Sequence, residues 1–193
     1  MNVNPRPLIR RVVLSAGHTP GSPGAVSCGV TEHSLNVAYV NALYGVLLED
    51  LSQTKGLLDS VVRLPHDLNL RVKTGDLAQE LDSPETLAIE IHFNAFNTKA
   101  HGSEIFHRRG DMIGHNIGSH LLGTHTSVQN LRCRGLRTGA ASKRGSLRWP
   151  YAWTHGLLWE LAFMDNPEDL TKLLPSEPWG RLIGDSLRRW LIT

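Results

Sequence analysis

The sequence predicts an α/β protein in which a mostly parallel, twisted mixed sheet is flanked by helices on both faces. Short apolar stretches typical of strands alternate with longer segments whose apolar residues recur at helical spacing. Alternating strands and helices favour parallel pairing, because each helix returns the chain to the start of the next strand. No internal repeat or linker-like stretch divides the 193 residues, of which 40% are hydrophobic. We therefore expect one domain, residues 1–193, with a substantial core.

The first half of the chain supplies two strands and two helices. The apolar stretch at residues 8–16 predicts a strand, and residues 17–30, rich in Gly, Pro and Ser, predict a loop. Residues 31–51 predict a helix because their apolar side chains recur every three or four positions after a threonine suited to be an N-cap. Residues 58–64 predict a second strand and residues 67–81 a weakly amphipathic helix.

The second half continues the alternation. Residues 86–93 predict a strand because apolar and polar side chains alternate, and residues 102–108 predict a shorter one. Residues 111–128 predict a helix, and the basic segment that follows predicts a long loop. The last three elements are a buried strand, a helix with Pro in its first turn and a closing helix: residues 155–163, 166–174 and 177–192.

Three groups suited to chemistry fall near the carboxyl ends of predicted strands. His18 follows the first strand, His92 ends the third, and Glu160 lies late in the last one. In open α/β sheets, sites form beyond the carboxyl ends of the strands. Glu160 is also a lone carboxylate in the apolar run LWELAF, where an unpaired charge costs several kcal/mol unless a partner or a metal offsets it. These groups are therefore expected to converge at one edge of the sheet.

Two imidazoles and a carboxylate form a common catalytic zinc set with an open fourth position. His18 and His92 are candidate ligands, although each also fits a polar loop residue or a hydrogen-bonded core histidine. Glu32 opens a predicted helix, where a carboxylate is ordinarily explained by the helix dipole. A competing pattern is H-x-x-E, formed by His101 and Glu104, which requires a distant third ligand such as His155.

The charge distribution favours an anionic partner. Net charge is only +2, but no acidic residue occurs between Asp111 and Glu160, where basic residues cluster. The basic residues of this stretch are Arg132, Arg134, Arg137, Lys143, Arg144 and Arg148. A polymer bearing carboxylates or phosphates fits this stretch; nucleic acid is a weaker candidate because no binding motif is present. Cys28 and Cys133 do not form a disulfide framework.

Five segments, in order along nearly the whole chain, together form a recognisable pattern: VVLSAGHTPGSPGA, GVTEHSLNVAYVNAL, AIEIHFNAFN, HGSEIF and LLWELAFMDNPEDL. They resemble the zinc-dependent N-acetylmuramoyl-L-alanine amidases of cell-wall hydrolases and phage endolysins. The first two resemble the first strand with its ligand loop and the start of the first helix in that family. AIEIHFNAFN resembles the S-I-H-x-N-A signature, HGSEIF resembles the G-x-E strand, and LLWELAFMDNPEDL resembles the final L-v-E-x-G-F-x-x-N-x-x-D signature. The chain departs from the family where HTPG replaces His-Gly-Gly and where Ala162 replaces Gly.

The resemblance implies roles for individual residues. His18, Glu32 and His92 are expected to bind one zinc ion, and Glu160 is expected to be the catalytic carboxylate. Glu104 then belongs to a structural strand. Two residues are expected to bind substrate: Asn94 of the S-I-H-x-N-A segment, and Arg137 of RGLR, which meets a stem-peptide carboxylate or is a solvated surface charge.

The resemblance also implies a function. The expected reaction is zinc-dependent cleavage of the amide between N-acetylmuramic acid and L-alanine of the peptidoglycan stem, carried out by a monomer without nucleic-acid or membrane partners. No apolar signal segment opens the sequence, so we expect a phage endolysin made in the host cytoplasm that acts at the cell wall after release. The alternatives are a zinc carboxypeptidase or endopeptidase acting within the stem, and a catalytically silent wall-binding module.

Overall fold

A mixed sheet forms the centre of the molecule, whose computed structural model describes residues 9–53, 57–138 and 147–192. The strands are β1 (Arg11–Ala16), β2 (Val26–Ser27), β3 (Val30–Thr31), β4 (Ser60–Arg63), β5 (Thr86–Asn94), β6 (Ser103–His107), β7 (Cys133–Thr138) and β8 (His155–Phe163). Six of them form one sheet in the order β4-β1-β5-β8-β6-β7, while β2 and β3 form a small hairpin. β1 pairs in parallel with β4 and β5, and β5 pairs in parallel with β8. β6 is antiparallel to β8 but parallel to β7. The predicted mostly parallel mixed sheet is confirmed.

Helices cover both faces of this sheet. They are α1 (Glu32–Gln53), α2 (Leu70–Thr74), α3 (Asp76–Leu81), α4 (Met112–Val128), α5 (Arg148–Ala152), α6 (Pro167–Lys172) and α7 (Ser176–Ile192). The larger core lies between one face and α1, α4 and α7, where Leu43, Leu121 and Ile183 are fully buried. A smaller core on the other face includes Ala78 of α3 and Trp149 of α5. Among the described residues, no helix combines the length and apolar character that a membrane span requires.

The two faces of β5 explain how this fold presents polar groups. Strand side chains alternate between faces, so Ile89 and Ile91 point into the larger core. Glu90, His92 and Asn94 point to the opposite face. That face is apolar near the start of β5 and becomes polar toward its carboxyl end, where the predicted site residues lie.

Three sequence predictions require correction. Residues 67–81 form two short helices rather than one, because the chain turns at Gly75, whose ψ of −94° is not helical. The basic segment after α4 is not simply a loop, since Cys133–Thr138 forms the edge strand β7. The predicted loop at residues 17–30 contains most of the hairpin β2–β3. Lys143 and Arg144 of the basic stretch lie outside the described residues.

Candidate metal centre

His18 lies in the loop directly after β1. Its φ of +64° is unusual for a residue with a side chain, and such outliers cluster at functional sites. The residue before it, Gly17, donates a backbone hydrogen bond to Ile91 of β5 at 2.8 Å, which holds the loop against the strand. A Cβ at Gly17 would lie 2.3–2.5 Å from the ring atoms of His92. Only glycine therefore allows these two parts of the chain to meet so closely.

Glu32 is the first residue of α1. Thr31 caps this helix as predicted, with its hydroxyl oxygen accepting the backbone N–H of Ser34 at 3.2 Å. The β2–β3 hairpin returns the chain so that the backbone N–H of Glu32 reaches Ala25 O at 2.8 Å. The Glu32 side chain is buried, and the helix dipole favours its negative charge. A carboxylate that the sequence alone explains by the helix dipole thus points into the site.

The side chains of His18, Glu32 and His92 converge. Nε2 of His18 lies 2.9 Å from Oε2 of Glu32, and Nδ1 of His92 lies 2.9 Å from Oε1 of the same carboxylate. One potential ligand atom from each of the three residues lies within 4.8 Å of the others, and among the described residues this is the one such group of His, Cys, Asp and Glu. Nε2 of His18 is buried and makes no hydrogen bond with any described residue, although Oε2 of Glu32 lies 2.9 Å away.

The electrostatics of the group fit a dication. Burial raises the pKa of Glu32, but the imidazoles of His18 and His92 outweigh burial and hold that pKa well below its usual range. Burial lowers the pKa of His92, yet hydrogen bonds to Glu32 and Glu90 and the charge of Glu160 bring it well above its ordinary value. Because metal ligands must be deprotonated, a metal ion competes with the proton at this position. Two imidazole nitrogens and one carboxylate are the donor set that suits catalytic zinc.

Glu160 lies on β8 beside this group. It is the register partner of His92 in the parallel pair β5–β8, and adjacent strands are about 4.8 Å apart, so the two side chains neighbour each other on the same face. Its negative charge contributes to the raised pKa of His92. On its other side, the register partner is Glu104 of β6. Glu160 is half-buried, at the boundary between the apolar strand and the site.

Asn94 and Arg137, the predicted substrate-binding residues, both contact Glu104 rather than the three converging side chains. The Asn94 amide donates to Oε1 of Glu104 at 3.2 Å, and Nε of Arg137 lies 3.1 Å from Oε2. Arg134 donates to the same carboxylate at 3.1 Å. The Arg137 side chain keeps 40% of its surface exposed. Glu104 therefore holds the side chains of Asn94, Arg134 and Arg137 together, which its expected place in a structural strand did not indicate.

The competing H-x-x-E pattern does not assemble. Glu104 is occupied by the two arginines, and His155 begins β8 at the opposite end of the sheet. Nδ1 of His155 lies 2.8 Å from Oδ1 of Asp111, the N-cap of α4. Nδ1 of His101 lies 3.1 Å from the backbone oxygen of Lys99.

A cavity of about 380 Å³ opens next to the candidate ligands. His18 and His92 line one side, Lys73 and Glu90 lie in its wall, and Trp149 and other apolar side chains complete it. A largely apolar pocket with a few polar groups beside a metal-binding group is typical of a substrate site. Sequence reasoning missed Lys73 and Glu90, although the spacing in E-I-H already put Glu90 on the same strand face as His92.

Comparison with known proteins identifies the family. The sequence profile of N-acetylmuramoyl-L-alanine amidases matches residues 12–185. The chain therefore belongs to the N-acetylmuramoyl-L-alanine amidase family and is a peptidoglycan amidase by this membership. A search of curated protein sequences found no significant match.

Solved structures share the fold. The catalytic domain of CwlV, an N-acetylmuramoyl-L-alanine amidase from Bacillus (Paenibacillus) polymyxa var. colistinus, has a TM-score of 0.76 at 20% identity, covering 95% of this chain and 98% of that one. An N-acetylmuramoyl-L-alanine amidase from Clostridium difficile 630 has a TM-score of 0.73 at 19% identity, covering 96% of both chains. The catalytic domain of the CD27L endolysin, which targets Clostridia difficile, has a TM-score of 0.68 at 19% identity, covering 93% and 97%.

Proposed function

We propose that this chain is a zinc-dependent enzyme that hydrolyses the amide between the lactyl group of N-acetylmuramic acid and L-alanine of the stem peptide. The observation that carries the proposal is the convergence of His18, Glu32 and His92 with Glu160 in register beside them. Family membership supports the substrate class, and the donor set favours zinc.

The three converging side chains would hold the ion. When bound, zinc supplies Lewis acidity that polarises the scissile carbonyl and activates water for attack. The ligands come from a loop, a helix start and a strand, each held by backbone hydrogen bonds and by glycine contacts. The site thus depends on the packing of β1 against β5, because that packing determines the separation of His18 from His92.

Glu160 would carry the proton. Amide hydrolysis needs a base for the attacking water and an acid for the departing nitrogen, and one carboxylate within hydrogen-bond reach can serve both steps. In the proposed reaction Glu160 takes the proton from water during attack and gives it to the amine of L-alanine as the C–N bond breaks. The products are a lactyl carboxylate and a free stem peptide.

Substrate recognition would use Arg137 and Asn94. Nε of Arg137 is paired with Glu104 at 3.1 Å, and the side chain is 40% exposed, so the guanidinium is accessible to a ligand. A guanidinium suits a carboxylate because its parallel donors match the two oxygens. We propose that Arg137 binds a stem-peptide carboxylate and that Asn94 lines the same side of the cleft.

For the biological setting we propose a monomeric phage endolysin that remains in the host cytoplasm until released and then acts at the wall. The likeness to the catalytic domain of an endolysin is compatible with this setting. The test is expression in a bacterial host with and without a membrane-permeabilising agent. Lysis only after permeabilisation supports the proposal, and lysis without it, or none in either case, argues against it.

The biochemical experiment measures zinc content and reaction products on one preparation of the purified chain. We expect about one zinc per chain, and digested peptidoglycan containing glycan strands without peptides and intact stem peptides by mass spectrometry. A chelator should abolish both the zinc content and the cleavage. Fragments cut within the stem would instead favour the carboxypeptidase or endopeptidase alternative, and binding without cleavage would favour the silent module.

Variants test the ligand set within the same experiment. His18→Ala and His92→Ala should each lose zinc, since removing one of three ligands opens the coordination shell. His101→Ala is the matched control because this histidine is partly exposed to solvent, its ring contacts the Lys99 backbone, and it does not belong to the converging group. It should retain zinc. Loss of zinc in His101→Ala, with retention in the other two variants, contradicts the assignment and favours the H-x-x-E pattern.

A further inference from the structure

Glu90 is a buried carboxylate that the proposed reaction does not use. It is 2% exposed and lies two residues before His92, on the same face of β5. Its Oε2 lies 3.2 Å from Nε2 of His92, and its Oε1 lies 3.3 Å from the hydroxyl of Ser15 on β1. Both carboxylate oxygens therefore have partners, and one is directed at a ring nitrogen of a candidate metal ligand.

The two ring nitrogens of His92 have different surroundings. Nδ1 faces Oε1 of Glu32 at 2.9 Å, whereas Nε2 faces Glu90. A neutral imidazole carries one N–H and one lone pair, and a metal ligand must present the lone pair to the metal. Both carboxylates accept hydrogen bonds, but Glu32 is also a candidate ligand. A metal ion bound beside Glu32 would take the lone pair of Nδ1, which leaves the proton of His92 on Nε2, where Glu90 can accept it.

We propose that Glu90 is a positioning residue, which accepts a hydrogen bond from Nε2–H of His92 and so fixes the tautomer and ring orientation in which Nδ1 binds the metal. This inference rests on the proposed zinc-dependent function. Carboxylates that accept the second N–H of a ligating histidine hold the ring and increase its basicity, and their loss typically weakens metal binding 10- to 100-fold.

Lys73 is a buried lysine in the wall of the same cavity as Glu90. Its side chain is 1% exposed, and Nζ donates to Ala16 O at 2.6 Å. Burial lowers the pKa of Lys73, and the nearby negative charge of Glu90 acts in the opposite direction. Lys73 and Glu90 thus line one cavity, where their opposite charges attract each other. Lys73 also ties α2 to the end of β1, one residue before the loop that carries His18.

Zinc affinity measured by competition with a chromophoric chelator tests the role of Glu90. We expect Glu90→Ala to weaken zinc binding 10- to 100-fold. Glu90→Gln should weaken it less than tenfold, because the amide oxygen still accepts the hydrogen bond. Glu85→Gln is the matched control: it removes a negative charge from an exposed residue just before β5 and should bind zinc as the wild type does.

An NMR measurement on the wild type tests the same inference without relying on the folding of any variant. Long-range ¹H–¹⁵N correlation spectra of the zinc-loaded, histidine-labelled protein identify which nitrogen of His92 carries the proton. We expect the proton on Nε2 in the wild type and in Glu90→Gln, and a changed Nε2 shift in Glu90→Ala.

Two results overturn the inference while leaving the proposed function intact: zinc affinity of Glu90→Ala within twofold of the wild type, or a His92 ring that carries its proton on Nδ1. A wild-type chain that binds no zinc overturns the proposed function as well. The wild-type affinity therefore separates the two failures.

Discussion

The surroundings of His125 in α4 predict that the folded protein loses stability in acid, and they determine how much. Its Nε2 donates to Leu161 O at 2.9 Å, one residue after Glu160, while Nδ1 accepts hydrogen bonds from Trp179 Nε1 at 3.1 Å and from the Gln129 amide. In the neutral ring, both nitrogens of His125 therefore have hydrogen-bond partners. A proton added to Nδ1 would face two hydrogen-bond donors, the Trp179 indole N–H and the Gln129 amide. Burial accordingly lowers the pKa of His125 from 6.5 to about 4.

The sign of the effect follows from proton linkage. Below pH 6.5 the unfolded chain binds a proton at this residue, but the folded chain does not until about pH 4, so stability is retained above pH 6.5 and falls as the pH drops. With these two pKa values, the free energy of unfolding decreases by about 2 kcal/mol at pH 5 and about 3 kcal/mol at pH 4. These amounts are a large part of the stability of a typical domain.

The assay is urea denaturation at pH 7, 6 and 5 with a chelator in every sample. Wild type and His125→Gln are compared, because Gln cannot be protonated but keeps an N–H for Leu161. Other titrating groups contribute similarly to both proteins, so the wild type should lose about 2 kcal/mol more than the variant between pH 7 and pH 5. Equal pH dependence in the two proteins, or an NMR titration of His125 with a midpoint near 6.5, refutes the reasoning.

Three further predictions concern the site. Glu160→Ala should keep its fold and zinc content while kcat falls at least about 100-fold, because the proton carrier is lost; near-normal cleavage of peptidoglycan would exclude the role. Gly17→Ala should weaken zinc binding because its Cβ would lie 2.3–2.5 Å from the His92 ring, whereas Gly21→Ala, with no atom nearby, is the silent control. Arg137→Met should raise KM about tenfold or more with little change in kcat, as expected for the loss of one charged hydrogen bond; an unchanged KM contradicts substrate binding.

Much of the fold was predictable because its signals are local. The alternation in residues 86–93 and the apolar run at residues 155–163 belong to the central strands β5 and β8, whose burial requires such patterns. The convergence of His18 and His92 followed from the rule that parallel strands present their carboxyl ends at one edge. Asp111 and Asn166 cap α4 and α6, each by accepting backbone N–H groups near the helix start.

The missed features depend on tertiary contacts. β7 is an edge strand whose residues are only partly buried, so its sequence CRGLRT carries little apolar signal, and it was predicted as loop. Glu32 was expected as a ligand only through the resemblance, because its local pattern is explained by a first-turn carboxylate; the returning hairpin turns it toward the histidines. The pairing of Glu104 with Arg134 and Arg137 joins β6 to β7, a contact that no sequence spacing indicates.

In this sheet, the residues proposed to carry the reaction lie on one face and the residues that form the larger core lie on the other. On one face, each strand changes from apolar to polar toward the shared edge: Ala88 is followed by Glu90 and His92 on β5, and Leu158 by Glu160 on β8. On the opposite face of the same strands the side chains stay apolar to the end and pack in the larger core. Neighbouring residues therefore serve different purposes. A rigid apolar layer beneath the polar row holds the backbone positions, and those positions determine the distances between ligands and carboxylates on which the proposed reaction depends.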